Sequence, residues 1–145
     1  MVYNEVDYDT FMGIVDKVQY QNQDILEAME FGYKNIPDAY MKAEHAWCRY
    51  WVISHEDKVL TTILEGRDGV LTYFTTTDLP GSNIRRYVKV LKKLVTKVTK
   101  CREVVFVKVV IWHKPALALL RTVGFRKYIL ENHNSIWVYE YGKQN

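Results

Sequence analysis

The sequence predicts an α/β (α+β) fold in which one mixed central sheet carries helices on both faces. The stretch from Val70 to Trp112 predicts a strand, a glycine-bearing loop, an amphipathic helix and a second strand. This order is that of a βαβ unit with two parallel strands. Residues 46–77 hold three short β-branched and aromatic runs separated by polar turns, a pattern typical of an antiparallel meander. A sheet with both kinds of connection is mixed, and the amphipathic helices have to cover its faces.

The first 45 residues predict one strand and two helices. Alternation predicts a strand, and helical spacing predicts a helix capped by Asp9 or Thr10 and then a second helix. Pro37 is expected to end the second helical region, with at most one further turn at 39–44. The strand is Val2–Tyr8, and the second helix is Gln23–Tyr33.

The meander strands are predicted at Ala46–Ser54, Val59–Glu65 and Val70–Thr77. Gly69 suits the positive φ of the turn before the last of them. Beyond the βαβ unit, Pro115 suits the first turn of a short helix over Ala116–Val123, which Gly124 ends. The chain closes with a hairpin of Phe125–Leu130 and Ile136–Tyr141 around the turn 131–135. The predicted order is β-α-α-β-β-β-α-β-α-β-β, in a single domain over residues 1–145.

The helix of the βαβ unit is the clearest element. Its apolar residues fall on one stripe, at positions 84, 87, 88, 91, 94, 95 and 98. The opposite face is basic, with Arg85, Arg86, Lys89, Lys92, Lys93, Lys97 and Lys100, and no acidic residue occurs from Leu79 to Arg102. The strand that follows, Val104–Trp112, is almost wholly apolar, which indicates burial on both faces. Lys108 interrupts it, and we favour a paired or snorkelling lysine there over one that reaches into a cleft.

Composition and charge narrow the function classes. The chain has 145 residues, 48% hydrophobic and 14% aromatic, enough for one core. Residues 1–78 carry 14 acidic and 6 basic side chains, whereas residues 79–145 carry 3 and 14. This division suits an anionic partner at one surface and a cationic one at the other, unless both surfaces are merely solvated.

Several classes are not expected. Cys48 and Cys101 lack CxxC spacing, which favours reduced thiols over a metal site. The acidic start is no signal peptide, and no apolar run is long enough to span a bilayer. We therefore expect a cytoplasmic protein without a membrane partner.

The element order resembles the GNAT (Gcn5-related N-acetyltransferase) fold. Three places carry the resemblance: Val70–Leu94 resembles the strand, pyrophosphate loop and helix of that family, Pro115–Phe125 its short helix ending in Gly-Phe, and Tyr128–Tyr141 its closing hairpin. Within the superfamily these segments look most like small acetyltransferase-like proteins of tailed, T7-type phages. The resemblance implies an N-acetyltransferase, acetyl-coenzyme A as cofactor, an amine of a protein or small molecule as acceptor, and a host cytoplasm or virion setting.

The resemblance also implies a pyrophosphate site before the basic helix. The family motif Q/R-x-x-G-x-G/A aligns with residues 79–84, where only one glycine occurs and Pro80 removes a donor. The expected cofactor-binding residues there are Gly81, Ser82, Asn83, Ile84, Arg85 and Arg86. A plain helix start capped by Ser82 or Asn83 is an equally weighted alternative.

The candidate catalytic residues of this chain differ from the tyrosine that the family often uses. The family often places a tyrosine acid where this chain has Leu120, which carries no proton to donate. His113 titrates in a suitable range, although a histidine at a strand end is more often structural, and Tyr128 is a second candidate acid. The candidate base is Glu65, unless it is an ordinary solvated carboxylate at a turn.

Thr75, Thr76 and Thr77 are predicted to line the acyl end of the site or to serve only as β-branched strand residues.

Three functions follow from these residues. The first is acetyl transfer by direct attack in a ternary complex. The second is a GNAT-like protein without catalysis that binds a host or virion protein. The third is nucleic-acid binding through the basic helix, for which charge is the only sign.

Overall fold

The computed structural model describes residues 1–79, 81–131 and 133–143, and in them the chain forms seven strands and five α-helices. In chain order these are β1 (Val2–Val6), α1 (Tyr8–Lys17), α2 (Asn22–Glu30), α3 (Ile36–Met41), β2 (Arg49–His55), β3 (Lys58–Glu65), β4 (Leu71–Thr75), α4 (Ile84–Arg102), β5 (Val104–Val110), α5 (Lys114–Val123), β6 (Arg126–Glu131) and β7 (Asn134–Glu140). The predicted order is confirmed with α3 added. The predictions for Pro80 and Asn132 lie outside the described residues.

The strands form two antiparallel groups. One has the order β1-β2-β3-β4 and the other the order β5-β7-β6. The parallel strands of the βαβ unit meet at a bridge between Val70 and Phe106, where the Phe106 N–H donates to the Gly69 carbonyl at 2.9 Å. Beyond this bridge β4 and β5 diverge, so the sheet is split where a continuous mixed sheet was expected.

Carboxylates of α2 bond to both strands where they diverge. Asp24 accepts a hydrogen bond from the Thr75 N–H of β4 at 2.5 Å, and Glu27 accepts one from the Val110 N–H of β5 at 3.0 Å. A buried backbone N–H needs a partner, and these two find it on a helix. The divergence is therefore stabilised by α2.

Helices cover both faces, as predicted. Alternate residues of β2 enter different cores: Trp51 and Ile53 pack with α4 and α5, whereas Tyr50 and Val52 pack with α1 and α3. The stripe predicted for α4 is confirmed over most of its length, since Tyr87, Leu91, Leu94, Val95 and Val98 are buried.

Two local predictions change, and two for glycines are confirmed. Asp7, rather than Asp9 or Thr10, caps α1, and it accepts a hydrogen bond from the Thr10 N–H at 2.7 Å. Pro37 lies in the first turn of α3 instead of ending a helical region, because a first-turn residue needs no N–H. Gly69 and Gly124 have positive φ angles of 88° and 120°, as their predicted turn and cap positions require.

Within the residues described, no helix has the length and apolarity that crossing a bilayer requires.

Candidate active site

An inner cavity of about 220 Å³ lies where β4 ends and where α4 and α5 begin. Side chains of α2 line its polar side and apolar side chains of α4 and α5 line the other. Its walls are formed by Gln21, Asp24, Tyr73, Thr75, Leu79, Gly81, Ile84, Tyr87, His113, Pro115, Ala116 and Leu119. The cavity thus brings three of the predicted cofactor residues, at positions 75, 81 and 84, together with one predicted catalytic residue, His113.

An outer groove of about 590 Å³ runs between α4 and α5. It shares Ile84, Pro115 and Leu119 with the inner cavity, so the two spaces adjoin at these residues, and together they are called the cleft. The groove is mostly apolar, and the cations at its edge are Arg85 and Lys89. A ligand with an anionic group, an apolar arm and a polar end would fit this sequence of surfaces.

The start of α4 lines the inner cavity with Gly81 and Ile84. Gly81–Asn83 make one 3-10 turn, and Asn83 at the N-cap position makes no side-chain capping bond. Capping by Asn83 is therefore not observed. Ser82, Arg85 and Arg86 are exposed beside the positive end of the helix.

Asp24 and His113 form a buried pair at the polar side of the cavity. His113 Nε2 lies 2.6 Å from Asp24 Oδ1, and Nδ1 accepts a hydrogen bond from the Ala116 N–H at 3.3 Å, which makes His113 the N-cap of α5. Asp24 Oδ2 also accepts the Thr75 hydroxyl at 2.8 Å. Both ring nitrogens are occupied, so neither is free for a proton of a substrate. The structural interpretation of His113 is the one this geometry favours.

The pair lies close to Glu27, and the three groups influence each other. Burial alone would lower the pKa of His113, but the Asp24 hydrogen bond and the charges of Glu27 and Asp24 raise it above its ordinary value. Burial raises the pKa of Glu27 to about 7, although the Val110 N–H and the charge of His113 oppose the rise. A protonated Nδ1 would face the Ala116 N–H, a repulsion that the acidic neighbours have to offset.

Tyr73 lines the inner cavity and is not among the residues predicted from the sequence. Its hydroxyl is buried in the cavity wall and has no hydrogen-bond partner among the described residues. Burial raises the pKa of Tyr73 well above its ordinary value, so the phenol is protonated at neutral pH. The alternation of β4 gives the signal that was available, because Tyr73 shares a strand face with Thr75.

The other predicted catalytic residues lie outside the cavity. Glu65 is fully buried, which rules out a solvated carboxylate, and it accepts hydrogen bonds from Arg49 at 3.1 Å, Trp51 at 2.9 Å and Arg102 at 2.6 Å. Burial would raise the pKa of Glu65, but these donors hold it below its ordinary value. Tyr128 is 58% exposed on β6 and contacts Phe106.

Thr76 and Thr77 also do not line the cavity. The Thr76 hydroxyl donates to the Val59 carbonyl at 2.6 Å, and the Thr77 N–H donates to the Gln19 carbonyl at 2.9 Å. Both residues follow the last residue of β4, Thr75. Their bonds fasten the segment after β4 to neighbouring backbone.

Leu120 is fully buried in the core of α4 and α5. The position of the family's tyrosine therefore holds a packing residue in this chain. Lys108 is exposed on β5, and its ammonium lies 5.7 Å from the centre of the Phe31 ring, consistent with the snorkelling interpretation.

Solved structures share this architecture at low sequence identity. The GNAT domain of S. lividans PAT matches with a TM-score of 0.70 and 9% identity, over 95% of this chain and 89% of that chain. YncA, a putative acetyltransferase from Salmonella typhimurium solved with acetyl-CoA, matches at 0.62 and 11%, over 99% and 95%. RimL, a ribosomal L7/L12 alpha-N-protein acetyltransferase in complex with coenzyme A, matches at 0.63 and 10%, over 96% and 93%.

The sequence matches no protein-family model and no curated protein. The structural matches nevertheless extend over nearly the whole chain, and they confirm the predicted fold class. The protein has the GNAT fold.

Proposed function

We propose that this protein is an acetyl-CoA-dependent N-acetyltransferase that acts on an amine by direct attack in a ternary complex. The observation that supports this function best is the cleft. Its inner cavity brings the positive start of α4, at Gly81, together with the Tyr73 hydroxyl, which has no partner among the described residues, and the apolar outer groove adjoins this cavity between α4 and α5. The structural neighbours solved with acetyl-CoA and coenzyme A add support through the shared fold.

The residues of the cleft fit this cofactor. A Cβ added to Gly81 would meet no atom within 4 Å, so an anionic group has room to approach the backbone there. The helix N-terminus with Arg85 and Arg86 would hold the diphosphate, and the outer groove would take the apolar arm. When bound, acetyl-CoA supplies the acetyl group as an activated thioester.

Within the inner cavity Tyr73 is the proposed proton donor, because its buried hydroxyl has no hydrogen-bond partner among the described residues. Asp24, His113 and Thr75 hold each other and position the cavity wall. No cysteine, serine or lysine is among the described residues that line the inner cavity. A direct transfer without a covalent enzyme intermediate fits this lining. The acidic first half of the chain suits a cationic acceptor of the amine class.

Calorimetric titration with acetyl-CoA tests the cofactor site. We expect saturable binding by the wild-type protein and loss of binding in the Gly81→Trp variant, because the indole would fill the inner cavity beside the start of α4. Gly13→Trp is the matched control, since Gly13 also has no atom within 4 Å of an added Cβ and lies in α1, away from the cleft. Absence of binding by folded wild-type protein, or equal binding by both variants, would contradict the proposal.

A second candidate function is binding without catalysis. The packed Leu120 and the fully bonded His113 ring favour it, because neither can transfer a proton in the arrangement observed. The resemblance to T7-type phage proteins suggests a host or virion protein as partner and the infected cytoplasm or the virion as setting. Release of free coenzyme A thiol in the presence of peptide and polyamine amines would exclude this candidate. Binding of acetyl-CoA with no thiol release would favour it.

A further inference from the structure

A separate groove of about 830 Å³ lies on the outer face of α4, beside β1. Its lining is formed by Tyr3, Lys89, Lys92, Lys93, Thr96, Lys97 and Lys100. Five of these seven residues are lysines and none is acidic. We call this surface the lysine groove.

The salt bridges of the described residues leave out the lysines of the groove. Within the described part of the chain, none of them makes an ion pair. Like charges three and four positions apart on a helix destabilise it. A helix that keeps five such lysines around one concave surface is well suited to an anion that lies across all of them.

The lysine groove also contains an aromatic ring. The Lys97 ammonium lies 5.8 Å from the ring centres of both Tyr3 and Trp51, and the Tyr3 ring meets Trp51 edge-on at 6.0 Å. Tyr3 is half-buried and lines the groove, whereas Trp51 is buried below it. The groove thus combines a row of ammonium groups with a supported aromatic side chain.

We propose that the lysine groove binds single-stranded nucleic acid. At 1.5 Å per residue, the lysines from 89 to 100 extend over about 16 Å, room for a few successive phosphates. A nucleic acid strand supplies regularly spaced negative charges and flat bases, so its backbone would meet the lysines while a base stacks on Tyr3. An acidic peptide would satisfy the charges but leave Tyr3 unused, and a duplex keeps its bases stacked inside.

The first test compares two triple variants. The groove variant combines Lys92→Ala, Lys93→Ala and Lys100→Ala. It removes three charges of the lysine groove and leaves Lys89, which also borders the outer groove. The control variant combines Lys34→Ala, Lys58→Ala and Lys127→Ala. These three lysines are also exposed, and they do not line the lysine groove. Binding of labelled oligo(dT) and oligo(U) is followed by fluorescence anisotropy over a range of salt concentrations.

We expect the groove variant to reduce the slope of log affinity against log salt by about 2 and the affinity by about a hundredfold at 0.1 M salt. The control should change neither quantity. Equal effects of the two variants, or wild-type affinity that does not respond to salt, would overturn the proposal.

A second test separates nucleic acid from other polyanions. Tyr3→Leu keeps an apolar side chain and removes the ring, so affinity for the oligonucleotides should fall about five- to a hundredfold while binding of poly-glutamate does not change. Tighter binding of duplex or poly-glutamate than of oligonucleotide would overturn the assignment. The result does not depend on the acetyltransferase proposal, because no acetyl-CoA is present.

Discussion

Tyr73 has a buried hydroxyl in the cavity wall, and this hydroxyl makes no hydrogen bond with any of the described residues. A buried polar group without a partner costs stability, so its presence in a fold of this size points to a use. The use proposed here is proton donation to the leaving thiolate. A structural role and a catalytic role predict different outcomes when the hydroxyl is removed.

Tyr73→Phe removes the hydroxyl and keeps the ring. Turnover with acetyl-CoA and an amine should fall about a hundredfold or more, because general acids contribute on this order. Affinity for acetyl-CoA by calorimetry should not change, and the free energy of unfolding should stay the same or rise slightly. Tyr141→Phe on the exposed C-terminal segment is the control. Full turnover of the Tyr73 variant would exclude this residue as the donor.

Glu27 makes stability depend on pH. Folding raises its pKa from 4.5 to about 7, so the folded protein holds this proton more tightly than the unfolded chain does. The free energy of unfolding therefore falls as the pH rises from about 4.5 to about 7, by up to about 3 kcal/mol. The raised pKa of His113 acts in the same direction, because its contribution is complete below pH 6.5 and is lost as the pH rises further.

Glu27→Gln should remove most of this decline, since the amide oxygen can accept the Val110 N–H bond without a charge. Urea unfolding at pH 5 and pH 8 measures the effect: wild type should lose stability between the two values, and the variant should lose less. The same decline in both proteins would show that Glu27 does not cause it.

At the scale of elements, Glu65 connects β3 to β2 through Arg49 and to α4 through Arg102. From the sequence Glu65 is the single carboxylate in two strands, which suggested a catalytic base. Its partners lie 16 and 37 positions away in the chain, so no local pattern reveals that they converge on it.

Glu65→Gln should destabilise the protein by about 3 kcal/mol at pH 7, because two guanidinium groups lose their buried counter-charge. The pKa of Glu65 is lowered by folding, so its contribution is present above pH 4.5 and is lost as the pH falls below that value. The difference from wild type in urea unfolding should therefore shrink at pH 4. Glu140→Gln, which changes an ion pair with the exposed Arg126, should have a much smaller effect. A loss at pH 4 as large as at pH 7 would contradict this account.

The elements that the sequence predicted well are those with a strong local pattern. α4 follows its apolar stripe, and Gly69 and Gly124 adopt the positive φ that their places require. The divergence of β4 and β5 was not predicted. It involves hydrogen bonds to Asp24 and Glu27, and the sequence of α2 around them has only the pattern of an amphipathic helix. Burial of these two carboxylates is a tertiary property.

The predictions for the candidate site also differ in how far the sequence could support them. Thr75, Gly81 and Ile84 were predicted near the cofactor, and they do line the inner cavity. Among the catalytic predictions, His113 reaches the cavity but has both nitrogens bonded, and Tyr73 was overlooked among 11 tyrosines. Residue type and spacing indicate which part of the chain lies near the candidate site. Whether a polar side chain there is free to form a hydrogen bond depends on its neighbours in the fold.

At the scale of the whole molecule, many of the basic residues of the second half of the sequence lie on α4. The cations of α4 border two different spaces, the cleft between α4 and α5 and the lysine groove beside β1. The acidic first half contributes Asp24 and Glu27 to the interior, so part of its charge is used for folding rather than for contacts with partners. Lys89 borders both spaces, and the other lining residues of the two α4 surfaces differ, so the surfaces can be altered separately by mutations that leave Lys89 in place.

The Val70–Phe106 bridge has a consequence for how the chain folds. Each antiparallel group is made from strands of one half of the sequence, although β1 pairs with β2 and β5 with β7 across intervening elements, so neither group needs a strand of the other half in order to form. The late event is then the docking of the two halves, in which α2 places its carboxylates on the ends of β4 and β5. The cleft is completed only by this last step, so cleft formation would report the arrival of the native state rather than of an intermediate.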